Sequence, residues 1–113
     1  MGMFNRLRLP GSARCASCGS DVDRWVQFKY GELDLYSYDI GDALAWRGDQ
    51  YDEGVPGMAH VYIFAIAEPC RACGFEPEVD EYDIELRKDV VYGVSASAYS
   101  IDYDMEGWVV VQE

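Results

Sequence analysis

All four cysteines of the chain fall into two copies of one pattern, Cys15-Ala16-Ser17-Cys18-Gly19 and Cys70-Arg71-Ala72-Cys73-Gly74. Two residues between thiols let both sulfurs face a single ion from one tight turn. A glycine after the second cysteine accepts positive φ, so backbone N–H groups can turn toward the sulfurs. Two such turns supply four sulfurs at roughly 2.3 Å from one ion in a tetrahedron, the closed arrangement of a structural zinc site. The pattern predicts one Zn2+ held by Cys15, Cys18, Cys70 and Cys73. Four thiolates leave no position for a substrate water, which argues against catalysis at the ion. The fold must also bring together two turns with fifty-one residues between them.

The two CxxCG turns resemble the knuckles of zinc-ribbon and rubredoxin-like proteins. The second is framed by Val61–Ala67 and Val79–Arg87, as a knuckle at the tip of a β-hairpin is. The chain also resembles short bacterial proteins that carry two knuckles, a likeness that brings no activity with it. Compact ribbons hold their knuckles much closer, so the intervening segment, about residues 29–57, is expected to belong to the same β domain. Within it, Gly41-Asp42-Ala43-Leu44-Ala45-Trp46 is similar to strand entry in small SH3-like barrels. Two other uses of the cysteines compete with zinc. Rubredoxin-like iron suits the same knuckles and makes a one-electron carrier. A dithiol redox pair fits less well, because neither CxxC opens a helix in a βαβ setting.

The rest of the chain reads as β. Trp25 to Tyr30 alternates, and Leu33 to Tyr38 is rich in strand formers. Leu44 and Trp46 share a face, and residues 47–57 carry the glycines, proline and acids of a surface loop. Val61 to Ala67 is apolar at every position, the mark of a strand covered on both faces. Val79 to Arg87 alternates with Tyr82, Ile84 and Leu86 inward and Glu81, Asp83 and Glu85 outward. Residues 90–95, 99–103 and 108–111 read as further short strands. The expected fold is a mainly β, small single-domain antiparallel sheet over residues 1–113. It has a zinc-ribbon-like site of four cysteines and an inserted β segment.

Charge bounds the partners. Twenty-one acidic residues face 9 basic ones, a formal net charge of −12. Residues 1–14 hold Arg6, Arg8 and Arg14 and no acid, a basic arm whose order the sequence leaves open. The remaining body is strongly acidic, repels nucleic acid and anionic membrane, and speeds encounter with basic proteins. Glu81, Asp83 and Glu85 would repeat along one strand face at ~6.6–6.8 Å. That makes them the candidate partner-binding stripe, with a plain solvated face as the alternative reading. Arg14 and Arg71 stand beside or inside the knuckles, where they would either offset the negative charge of a four-thiolate zinc centre or serve as surface arginines with no special duty. His60, the sole histidine, is expected to be a satisfied residue at a strand end.

No membrane-length apolar stretch occurs, and residues 1–10 lack the apolar core of a secretion signal. A reducing cytoplasm, where thiols stay free to bind metal, is the expected compartment. No nucleophile elbow, phosphate loop or metalloprotease spacing is present. The sequence thus points to a non-catalytic zinc protein that binds a basic protein partner, as an inhibitor, immunity-type protein or adaptor does. An iron electron carrier and a nucleic-acid-binding zinc ribbon are the alternatives.

Overall fold

The computed structural model describes residues 3–10, 15, 17–19, 23–77, 80–103 and 107–111 and places seven strands among them. In chain order these are β1 (Asn5–Arg8), β2 (Trp25–Phe28), β3 (Ser37–Tyr38), β4 (Val61–Ala67), β5 (Glu81–Arg87), β6 (Val90–Ala96) and β7 (Trp108–Val110). They form one sheet in the order β3-β1-β2-β4-β5-β6, with β7 also on β4. Every pairing is antiparallel except β1 with β3, which is parallel, so the sheet is mixed. No helix is long and apolar enough to cross a membrane among the described residues.

β4 organises the sheet. Val61, Ile63 and Ala65 point into the core, while Tyr62, Phe64 and Ile66 occupy its other face. One edge of β4 pairs with β5 from Val61↔Leu86 to Ile66↔Glu81. The other edge is shared: β7 takes residues 61–63, and β2 takes Ile66 and Ala67. β5 turns into β6 through Lys88 and Asp89, whose φ values of 50° and 67° fit a two-residue hairpin turn. Beyond β3, Gly41 N donates to Val91 O, Val91 N to Asp42 O and Leu44 N to Asp89 O, at 2.8–2.9 Å. The sheet therefore curls until the chain after β3 meets β6.

Inside the curl lie Leu7, Val26, Phe28, Tyr38, Leu44, Ile63, Ile84, Leu86 and their neighbours. Each such side chain stabilises the fold by about 1.5–3 kcal/mol relative to exposure. Tyr30 is fully buried, packed edge-on against Trp46 and Trp108 at 5.4 and 5.6 Å. Its hydroxyl donates to Val55 O at 2.8 Å. Gly54 lies so close that a Cβ there would fall 2.1 Å from the Tyr30 ring, at φ +84°. Residues 29–57 are thus part of the domain, as the knuckle spacing required.

Three expectations need correction. Asn5–Arg8, read as part of a basic arm, is a strand with Asn5 and Leu7 fully buried. Of residues 33–38 only Ser37 and Tyr38 are a strand, because Leu35 adopts φ +55°. Residues 99–103 form no strand, and Tyr99 has φ +57°.

The cause of the second correction is one side chain. Asn5 Nδ2 donates to Tyr30 O and Glu32 O at 3.2 and 2.9 Å. Its Oδ1 accepts from Asp34 N and Tyr36 N at 3.3 and 3.1 Å. Four backbone groups of one loop are satisfied by a single amide, which uses its full hydrogen-bonding capacity. Asn5→Leu keeps the volume but strands those backbone groups, so the unfolding free energy should drop by about 3 kcal/mol in a urea titration. An unchanged midpoint would show that the loop does not depend on Asn5.

Candidate metal centre

The two knuckles meet because β2 and β4 are neighbours. Cys15 and Cys18 lie on the connection from β1 to β2, which Arg8↔Trp25 closes. Cys70 and Cys73 lie on the connection from β4 to β5, closed by Ile66↔Glu81 and by Ala67 N donating to Asp80 O at 2.7 Å. The register Val26↔Ala67 and the bond from Glu68 N to Trp25 O at 2.9 Å set both connections at the same end of adjacent strands.

The four sulfurs lie within 4.8 Å of one another. Cys15 Sγ is 3.7 Å from Cys73 Sγ, and Cys18 Sγ is 3.9 Å from Cys70 Sγ. A tetrahedral ion with sulfurs at 2.3 Å requires an edge of about 3.8 Å. Two edges of the donor set already match that length and all lie within 4.8 Å, so the four sulfurs fit a four-thiolate metal centre. Local geometry follows the pattern in the sequence. Gly19 N donates to Cys15 O at 2.9 Å and Gly74 N to Cys70 O at 2.7 Å, with φ values of +71° and +79° at the two glycines. Nothing crowds a Cβ at either glycine, so positive φ alone is what calls for one. Ser17 N and Cys18 N approach Cys15 Sγ at 3.4 and 3.5 Å.

These contacts set the thiol electrostatics. The Cys18 backbone N–H, followed by that of Ser17, draws the Cys15 thiol below its ordinary pKa. The Phe75 backbone N–H acts the same way on Cys73. Burial and the three neighbouring thiols outweigh it, so Cys73 is pushed up to about 11. Four thiolates in this space repel one another, and a bound divalent cation removes that repulsion. Soft thiolates in a tetrahedron select zinc or iron. Cys18 and Cys73 are exposed, while Cys15 and Cys70 are half-buried.

Beneath the centre, Arg6 grips Glu68 through two bonds of 2.6 and 2.8 Å and lies 4.3 Å over the Trp25 ring. Arg8 binds Asp39 at 2.7 and 2.9 Å and Asp23 at 3.2 Å, and its guanidinium holds the Asp39 carboxyl below the usual carboxylate range. The arginines of the amino-terminal segment thus brace the knuckle-bearing connections from the side. Alternation in β1 was too short for the sequence to show this. Arg71 is exposed, and Arg14 falls outside the described residues.

The candidate acidic stripe takes a different form from the one expected. Asp83 is only 7% exposed and accepts a hydrogen bond from the Tyr103 hydroxyl. Glu85 meets His60 Nε2 at 2.8 Å and Arg87 at 2.9 Å. Glu81 is half-buried, and its carboxylate raises the pKa of the nearby Tyr99 hydroxyl. The reason is topological. β6 lies beyond β5 and β7 lies on the opposite edge of β4, so the connection between them must cross the outer face of both strands. Tyr103 marks that crossing, its ring 5.7 Å from Phe64. Sequence alternation cannot reveal which face a distant segment will cover.

Compared with protein-family models, curated proteins and solved structures, the chain gives no significant match.

Burial, and then the Asp83 hydrogen bond, push the Tyr103 hydroxyl well above the ordinary tyrosine pKa. A raised folded pKa gives stability that is complete below the unfolded value near 10 and is lost as pH rises beyond it. Between about pH 9 and 11 the wild type should therefore lose more unfolding free energy than Tyr103→Phe loses. Equal losses in parallel denaturant titrations would remove Tyr103 from the alkaline transition.

Proposed function

We propose that this chain is a non-catalytic structural-zinc protein whose acidic body docks on a basic protein partner, in the manner of an inhibitor, immunity-type protein or adaptor. The observation that carries the zinc half is the closed set of four sulfurs within 4.8 Å, drawn from two connections 52 positions apart. An ion there ties two hairpins together and has no open coordination position, which is the arrangement of a structural site. A reducing compartment, such as the cytoplasm, keeps such thiols available for metal.

Charge supports the partner half. The chain carries −12, and Asp34, Asp42, Asp49, Glu53, Glu76 and Asp80 are among its exposed acids. A field of that sign steers association with basic surfaces and disfavours nucleic acid. With Asp83 covered and Glu85 paired, Glu81, Asp83 and Glu85 contribute to that field more than to direct contacts. The exposure of Cys18 and Cys73 favours the second reading, an iron electron carrier.

Metal content and colour separate the readings. Protein prepared from unsupplemented and from iron-supplemented medium should contain one zinc per chain and stay colourless in both. A red protein with one iron that bleaches reversibly on reduction would establish the carrier instead. In gel shifts at low salt, DNA and RNA should run unretarded; tight retardation would replace the protein partner with nucleic acid.

A further inference from the structure

Leu35 combines two features that rarely coincide in a structural residue. Its backbone is left-handed, at φ +55°, and its side chain is 54% exposed. A non-glycine residue is strained there, and such strain persists only where the surroundings over-determine it. The fully buried Asn5 does so by bonding Asp34 N and Tyr36 N on either side of Leu35. Leu35 N also donates to Phe4 O at 3.0 Å. Glycine or asparagine would serve this turn better, so the backbone gives no reason for leucine. What leucine adds is a rigidly presented apolar side chain.

A complementary groove adjoins it. Where β2 and β7 part company along β4, a half-open cavity of about 240 Å3 is lined by Phe4, Phe28, Lys29, Phe64, Ile66 and Gly107. A cavity of about 150 Å3 already takes benzene, so this one has room for a leucine side chain. Ile66 is 52% exposed at the groove and Met3 is 38% exposed one residue before Phe4. Phe4 joins the two features, since its carbonyl holds Leu35 and the residue lines the groove. Lys29 is exposed and pairs with no carboxylate among the described residues. Asp34, next to Leu35, is exposed as well.

From this juxtaposition we infer that the Leu35 knob and the β2–β4–β7 groove form a self-complementary surface whose occupant is a second copy of this chain. Knob and hole are both neighbours of Phe4, and a two-fold symmetric contact requires such a pairing on one surface, because each copy gives and receives the same element. In that arrangement the Leu35 of one copy enters the groove of its partner, and Lys29 meets the acid beside the incoming leucine. The remaining charge of each copy opposes association, so the contact is apolar in origin and tightens as salt screens the repulsion.

Sedimentation velocity on the metal-loaded protein, from about 10 µM to 1 mM, tests this directly. The expected result is a monomer–dimer equilibrium that shifts toward dimer with added salt. Leu35→Gly, which suits a left-handed backbone, should weaken the dimer at least tenfold while leaving the melting temperature unchanged or higher. Ile66→Asp, placed in the groove, should do the same from the other side. An equimolar mixture of the two variants should recover part of the association, because one intact knob then meets one intact groove. A wild type that remains monomeric throughout, or a dimer that survives both substitutions, would overturn the inference.

Discussion

The architecture depends on the short pairing of β2 with β4. Only Val26↔Ala67 and Gln27↔Ile66 define it, yet it joins the β1–β2 hairpin to the β4–β5–β6 meander. It also sets the two cysteine-bearing connections side by side. Four sulfurs within 4.8 Å of one another stand beyond the strand ends, where a bound metal would reinforce this junction. Ordering two loops of this length against each other is entropically unfavourable. Coordination of an ion would offset that cost, while the Arg6–Glu68 pair and its stacking on Trp25 brace the sheet side of the same junction.

A second constraint acts at the opposite flank of β1. The Asn5 amide fixes the loop that follows Tyr30, and Tyr30 in turn is enclosed by Trp46, Trp108 and Gly54. Together these interactions turn a long segment with almost no regular strand of its own into part of the core. The sheet can then curl and meet β6 through residues 41–44. Rigid irregular backbone, held by buried polar and aromatic side chains, does here what further strands would do in a regular barrel.

Much of the metal centre was legible because its information is local. Spacing and glycine placement in two five-residue units dictate the knuckle shape, whatever lies between them. The uninterrupted apolar run of β4 and the alternation of β5 likewise identified the central strands. Features that depend on distant contacts were hidden. Nothing in Asn5-Arg6-Leu7-Arg8 marks it as a core strand, since two of its four residues are arginines whose partners, Glu68, Asp23 and Asp39, lie far along the chain. The covered state of Asp83 depends on where the β6–β7 connection crosses the sheet, which no period reveals. The left-handed turn at Leu35 is legible only once Asn5 is seen among the backbone groups it satisfies.

A metal bound at Cys15, Cys18, Cys70 and Cys73 would hold the β2–β4 junction together. The most direct test is equilibrium unfolding of metal-loaded and chelated protein in parallel, followed by tryptophan fluorescence. Trp25 reports from the junction, and Trp46 and Trp108 report from the far side of the core. Chelation should destabilise the whole fold, with the unfolding midpoint falling steeply and recovering when one equivalent of zinc is restored. Identical midpoints with and without metal would contradict this expectation and leave the four cysteines without a structural role.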